Sequence, residues 1–235
     1  MAPVFLTFQS VYATIYIMTQ IDNDKLNHLL RITVGMSFGA QPSAQIEQIK
    51  QLKSYEAKRI KKYLLLRKSD RVIDLGSGPG FIANNLADEV DHIHCVDVDS
   101  DFIQLAKDTL SQQSNITYHQ IEHGILNTLP MVTAIYANQL FFQFNLYDIY
   151  QYLSVCHKVL VKNGRMIFEI VNDEHLDVMS VTWQNQNRSH QSTPTERMTT
   201  YNNKHTVTRI IQQIGFDLVK SFDDKEHTYF IIIKK

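Results

Sequence analysis

The stretch Val72–Phe81, "VIDLGSGPGF", decides the fold. Val72, Ile73 and Leu75 around Asp74 read as a short buried strand, and glycines at 76, 78 and 80 end it in a turn. Beyond the turn, "FIANNLADEV" puts Ala83, Leu86, Ala87 and Val90 on one helical face. The same alternation continues outward. "HIHCVDV" is a second strand. "SDFIQLAKDTLSQQ" is a helix opening at Asp101 with Gln104 three residues later, a cap-like start. "ITYHQI" and "VTAIYAN" follow as strands, and "LYDIYQYLSVCHKVL" as a long helix stopped by "KNG", where Gly164 suits a left-handed position. "RMIFEIV", the helix "NKHTVTRIIQQI", "GFDLVKSF" and "HTYFIIIKK" close the chain. Strands and helices alternating at these intervals predict a parallel sheet covered on both faces, with ligands bound outside the strands' carboxyl ends. Upstream, Leu26, Leu29 and Leu30 fit one helix. After a break at Gly39 and Pro42, Ile46, Ile49, Leu52, Ile60 and Leu64 recur at helical spacing.

The chain has 235 residues, and its net charge of −1 gives no support to a duplex nucleic-acid surface. A basic run, Lys50 to Arg71, reads as a solvated helix face, and an acidic one spans Asp88 to Asp101. Two cysteines, Cys95 and Cys156, are too few for a disulfide framework and point to a reducing, cytoplasmic compartment. The apolar start "MAPVFLTFQSVYATIYIM" carries Gln9 and Ser10 and no leading positive charge, which suits neither a signal peptide nor a membrane anchor. The expected organisation is an N-terminal extension (1–20), a helical cap (21–65) and a core (66–235), with 172–203 as a cap or mobile-loop insertion. The assembly is expected to be a monomer or homodimer without a membrane span.

Three ligands sit on glycine-rich turns after strands. A P-loop requires Gly-Lys-Ser/Thr, and Phe81-Ile82-Ala83 stand there instead. A dinucleotide turn needs a third glycine three residues after the second, where this chain has Phe81, and Pro79 removes an amide from the anion nest. S-adenosylmethionine has no phosphate, and its demands differ. Glycines at 76, 78 and 80 permit close backbone approach, and Asp74 puts negative potential where a methionyl amine and a sulfonium would lie. A carboxylate for the ribose diol is expected about 20 residues on, at the end of the next strand. Asp97 occupies that place, with Asp99 as an alternative where the helix-capping turn begins.

On these residues, "VIDLGSGPGF…HCVDVDSDFI" resembles the first two motifs of the class I S-adenosylmethionine-dependent methyltransferases. "LVKNGRMIFEIV" is similar to their later turn and fifth strand, and the tail resembles their closing helix and hairpin. The resemblance covers roughly Tyr55 to Lys235. It implies a Rossmann-like, mostly parallel seven-stranded sheet with helices on both faces, whose last strand runs antiparallel between its neighbours. It also implies S-adenosyl-L-methionine as methyl donor and S-adenosyl-L-homocysteine as product. Gly76, Ser77, Gly78 and Gly80 would line the methionine part, Asp97 the ribose hydroxyls, and Val98 the adenine. After the third strand the family carries a Gly-Asp pair, for which this chain offers Ile121-Glu122, so Glu122 with neighbouring His123 stands for the adenine contact. Asn138 would lie near the transferable methyl group.

Other residues qualify as candidates around that site. His175, His190 and His205 lie beyond the fifth strand, where a neutral imidazole can remove a hydroxyl proton. Glu169, an acid inside "MIFEIV", needs a buried partner. "NQLFFQF" (Asn138–Phe144) lacks the prolines of base-amino methylating enzymes, which leaves Gln139 and Phe142 as candidates for a small-molecule acceptor pocket. By position, Phe38 and Tyr55 are expected to lean on it from the helical cap. "HIHC" puts His92 and His94 on one strand face with Cys95 on the other, so no metal site is expected. Two further readings share this fold: an NAD(P)-dependent oxidoreductase, and a catalytically silent binding module.

Overall fold

The structure is a computed structural model that describes residues 42–122, 129–172, 200–225 and 227–235. The expected positions Phe38, His123, His175 and His190, and the helix around Leu26 to Leu30, lie outside the described residues. In chain order the elements are α1 (Pro42–Leu64), β1 (Arg71–Leu75), α2 (Phe81–Leu86), β2 (His92–Asp97), α3 (Ser100–Thr109), β3 (Ile116–Gln120), β4 (Val132–Ala137), α4 (Leu146–Val159), β5 (Leu160–Asn172), β6 (Tyr201–Asn202), α5 (Lys204–Ile214), β7 (Phe216–Asp224) and β8 (His227–Lys234).

The sheet order is β3-β2-β1-β4-β5-β8-β7. Strands β1 to β5 pair in parallel, and β8 lies antiparallel between β5 and β7. This is the seven-strand arrangement with a reversed last strand that the sequence led us to expect. A two-residue strand, β6, adds an eighth partner in parallel at the end of β5.

Both faces of the strands are buried, and alternate residues feed two cores. Ile73, Val96 and Ile135 meet α4 and α5 through Leu153, Cys156 and Ile211. Val72, Ile93 and Tyr136 meet α1, α2 and α3 through Ile60, Leu64, Leu86 and Leu110. Helix α1 thus packs into the same core as β1. No helix among the described residues is long and apolar enough to cross a membrane.

Four local readings need correction. The cap of α3 is Asp99, whose Oδ1 accepts from the amides of Asp101 (2.8 Å) and Phe102 (3.3 Å), so the cap lies two residues before Asp101 and the helix begins at Ser100. The left-handed residue after α4 is Asn163 (φ 61°), not Gly164. Gly164 answers to space instead, since an added Cβ would meet Val161 O at 2.8 Å and Leu160 Cδ2 at 2.9 Å. Leu52 is 52% exposed, because the buried stripe of α1 runs through Ala57, Ile60 and Leu64. The helix read over "FIANNLADEV" ends at Leu86 and tightens into a 3₁₀ turn over Ala87–Glu89.

Near the sheet edge, His94 Nδ1 lies 3.1 Å from His119 Nε2, and His92 Nε2 lies 2.8 Å from Thr117 Oγ1. Among the described residues no cluster is arranged to hold a metal ion. Burial, helped by the charges of His92, His119 and Arg71, pushes the His94 imidazole down to about 4. Between that value and the ordinary 6.5, the unfolded chain binds a proton that the folded chain refuses. Stability is therefore full above pH 6.5 and falls as the pH drops toward 4. Urea unfolding at pH 7 and pH 4.5 is expected to show a smaller acid loss for His94→Asn than for the native chain.

Candidate active site

The turn between β1 and α2 is built from backbone constraints. The amides of Gly76 and Ser77 both donate to Val96 O, at 2.8 and 3.0 Å, tying the turn to β2. Gly80 has φ 78°, and a Cβ there would strike Leu110 Cδ1 at 2.6 Å, so this glycine serves packing against α3. Gly78 has φ 51°, and a Cβ there would meet nothing within 4 Å. Its bare face opens onto space.

Asp97, at the end of β2, holds that opening in place. Its Oδ2 accepts from Gly78 N at 2.9 Å and its Oδ1 from Asp99 N at 3.0 Å. A cavity of about 360 Å³ lies beyond, at the carboxyl ends of β1, β2 and β4. Asp74, Gly76, Ser77 and Gly78 form one wall, with Asp97 and Val98 beside them. Lys53, Asn138, Gln139, Leu140 and Phe144 also line it, with Leu140 lying against Gly76.

Asp74 is only 2% exposed. Its Oδ2 and the Ser77 hydroxyl are buried, and neither makes a well-formed hydrogen bond among the described residues. Burial pushes the Asp74 carboxyl up to about 7, against the opposing pull of the neighbouring Tyr136 hydroxyl and of Lys53. Tyr136 OH stands close enough to act on Asp74 electrostatically, yet its geometry forms no hydrogen bond either. Buried polar atoms are nearly always paired, so unpaired ones facing a cavity mark a place for a ligand.

Lys53, Asn138 and Gln139 are joined by a partly buried network. Lys53 Nζ donates to Asn138 Oδ1 (2.6 Å) and Gln139 Oε1 (2.8 Å). Asn138 Nδ2 (3.0 Å) and Gln139 N (2.6 Å) in turn donate to Glu169 Oε1. Glu169 thus has the buried partners that an acid inside β5 demanded. Burial raises the Glu169 carboxyl, and the Gln139 amide and the Lys53 charge pull it back. Burial lowers the Lys53 ammonium, and Glu169, Glu56 and Asp74 oppose that. Gln139 takes a left-handed φ of 61°, a strained conformation that the same hydrogen bonds hold.

The structure brings Asp74, Gly76, Ser77, Gly78, Asp97, Val98, Asn138 and Gln139 together around one cavity, with Gly80 supporting the turn from behind. Glu169 stands one hydrogen bond behind the wall. Other candidates fall elsewhere. Glu122 is exposed and does not line the cavity, whereas its neighbour Ile121 does. Tyr55 is 60% exposed, and Phe142 packs on His227 with ring centroids 4.5 Å apart. His205 is exposed in the first turn of α5, where its amide donates to the capping Asn203. Lys53 escaped the sequence reading, which took its basic run for a solvated face. The available signal was spacing, since Lys53 lies four residues before Ala57 and seven before Ile60 on the buried stripe.

A glycine turn after the first strand, a carboxylate at the end of the second and this sheet order define a nucleoside-binding, Rossmann-like domain. Residues 72–164 match the family described as a methyltransferase domain. Over those residues the chain is similar to methyltransferase domains, for which S-adenosylmethionine is the methyl donor. Solved structures share the fold. One is a SAM-dependent methyltransferase from Aquifex aeolicus, with 15% identity and a TM-score of 0.60, covering 82% of this chain and 98% of that one. Another is magnesium protoporphyrin IX methyltransferase (ChlM) from Synechocystis PCC 6803 with bound SAH, at 10% identity and a TM-score of 0.63, covering 96% and 99%. A third is the pyocyanin biosynthetic protein PhzM, at 14% identity and a TM-score of 0.59, of which this chain spans about half (76% of this chain, 54% of that one). At these identities the likeness is one of fold. No curated protein matches the chain in sequence.

Proposed function

We propose that the protein transfers a methyl group from S-adenosylmethionine to an oxygen or nitrogen of a small-molecule acceptor. The observation that carries this reading is the buried, unpaired Asp74 Oδ2 beside the open face of Gly78. An acid held up by burial is suited to a cationic ligand and ill suited to a diphosphate.

The residues fit the donor. Gly76, Ser77 and Gly78 would take the methionine part, Asp97 the ribose hydroxyls and Val98 the adenine. When bound, S-adenosylmethionine supplies a methyl carbon already activated by its sulfonium. The chain's contribution is then largely alignment, with the Asn138–Gln139 wall held rigid by Glu169 and the apolar side chains of Leu140 and Phe144 excluding water. The cavity volume falls in the range of small-molecule sites. Both cysteines, Cys95 and Cys156, are buried and reduced, in keeping with a cytoplasmic setting.

A pH dependence follows from Asp74. Below about pH 7 the empty site carries a protonated carboxyl, and an incoming ammonium favours the ionised form. Binding therefore releases a proton at pH 6. S-adenosylhomocysteine affinity should rise as pH increases toward 7, by up to about tenfold per unit, and level off above it. Calorimetry across this range should show the slope in the native chain and its loss in Asp74→Asn. The function itself is tested by incubating the enzyme with radiolabelled S-adenosylmethionine and fractionated cell extract. Label is expected in the small-molecule fraction, and label confined to protein or RNA would contradict the acceptor class.

A further inference from the structure

Helix α1 is seated on the core by Ala57, Ile60 and Leu64, and one turn before Ala57 it brings Lys53 to the cavity. Lys53 Nζ donates to Asn138 Oδ1 at 2.6 Å and to Gln139 Oε1 at 2.8 Å, and it has no further hydrogen bond or ion pair among the described residues. Asn138 is oriented by its own donation from Nδ2 to Glu169 Oε1, which leaves its oxygen turned to Lys53. Gln139 keeps its left-handed φ of 61° under the bond from its amide to the same oxygen, and strained residues of this kind gather at working sites. Counting protons separates the two forms of Lys53. An ammonium has three N–H groups and would leave one without an acceptor. A neutral amine has two, both engaged here, and keeps a lone pair. The charges around it are Glu169 from β5, Glu56 from α1 and Asp74 from β1, and all three favour the ammonium. Burial opposes them and outweighs them, holding Lys53 below the ordinary lysine range. Burial raises the Glu169 carboxyl as well, and a neutral Glu169 offers Lys53 no counter-charge.

We propose that Lys53 is the general base of the transfer, its Nζ lone pair taking the proton of an acceptor that arrives at the end of β4 as a hydroxyl or an ammonium. This rests on the reading of the site as a methyl-transfer site, and it adds the group that readies the nucleophile. The acceptor's proton passes to Nζ, its freed electron pair forms the bond to the methyl carbon, and the carbon–sulfur pair leaves with S-adenosylhomocysteine. Lys53, now an ammonium, returns the proton to solvent before the next turnover. A base works best when its proton affinity lies near the working pH, and a lysine approaches that range only when taken out of water. The two amide oxygens hold Nζ in one place, so its alignment is set before the acceptor enters. A lysine serving only to tie α1 to the end of β4 would have no need to lose its proton.

That difference supplies the test, and its first measurement needs no acceptor. In native protein carrying nitrogen-15 lysine, the Lys53 Nζ resonance is followed by NMR through its Cε protons and assigned by its absence from Lys53→Gln. It should titrate well below the roughly 10.4 of an ordinary lysine. A Lys53 that keeps its proton up to about that pH overturns the proposal without any activity assay. The second measurement uses radiolabelled S-adenosylmethionine and the small-molecule fraction of a cell extract, with the donor saturating so that the Asp74 effect on binding drops out. Transfer by the native protein should rise with pH over the range in which Lys53 titrates, then level off. Lys53→Gln should lose about 100- to 10,000-fold of that transfer, and the rise with it, while S-adenosylhomocysteine affinity by calorimetry stays within about threefold. A Lys53→Gln protein that keeps the native pH profile overturns the proposal, as does a loss of transfer no larger than the loss of affinity. A native protein that does not bind S-adenosylhomocysteine, or that labels no fraction, refutes the methyl-transfer reading itself.

Discussion

Replacing Asp97 with alanine should weaken S-adenosylhomocysteine binding by at least about 1.5–3 kcal/mol, roughly 10- to 150-fold. Two losses combine. The ribose hydroxyls lose a charged acceptor, and the turn loses the anchor that holds Gly78 N at 2.9 Å and Asp99 N at 3.0 Å. Asp97→Asn separates them, because its amide oxygen still accepts one backbone N–H while the charge is gone. Its affinity should fall between native and alanine. The fold should survive both changes, since Asp97 is the last residue of β2 and stands outside the apolar residues that form the two cores. Unchanged affinity by calorimetry would remove Asp97 from the site.

Glu169→Leu should cost stability rather than affinity alone. The carboxylate is 3% exposed and accepts from both Asn138 Nδ2 and Gln139 N. Leucine matches its bulk but leaves two donors, Asn138 Nδ2 and Gln139 N, unpaired. Leaving a buried donor unsatisfied typically costs about 1–3 kcal/mol. Urea unfolding should register a loss on that order. Glu169→Gln, which keeps an acceptor oxygen, should recover part of it. A single-variant loss below about 1 kcal/mol for Glu169→Leu would mean that the carboxyl does not hold the two donors.

The sheet was legible in the sequence because its strands are short, apolar and separated by helices of ordinary length. The turn was legible because glycine at 76, 78 and 80 permits backbone angles and close approaches that other residues resist, so the spacing alone carries geometric meaning. Asp97 followed from the chain length of one βαβ unit, and Asp99 resolved into the helix cap that its position suggested. Other features depend on where the chain brings distant segments. Lys53 and Asn138 are 85 residues apart, and nothing local in a basic helix announces that one of its lysines points inward. Glu122 filled a slot defined by sequence position, but the chain turns at the end of β3 so that Ile121 faces the cavity instead. Asn163 displaced Gly164 from the left-handed position because β5 begins directly at Leu160, leaving no separate capping turn after α4.

The central claim is that the Gly76–Gly80 turn and its two carboxylates are shaped for a cationic sulfur nucleoside. Parallel titrations of the native protein with S-adenosylhomocysteine and with NAD test it most directly. One equivalent of S-adenosylhomocysteine should bind, more tightly than NAD. No binding of S-adenosylhomocysteine, or a preference for NAD, would contradict it.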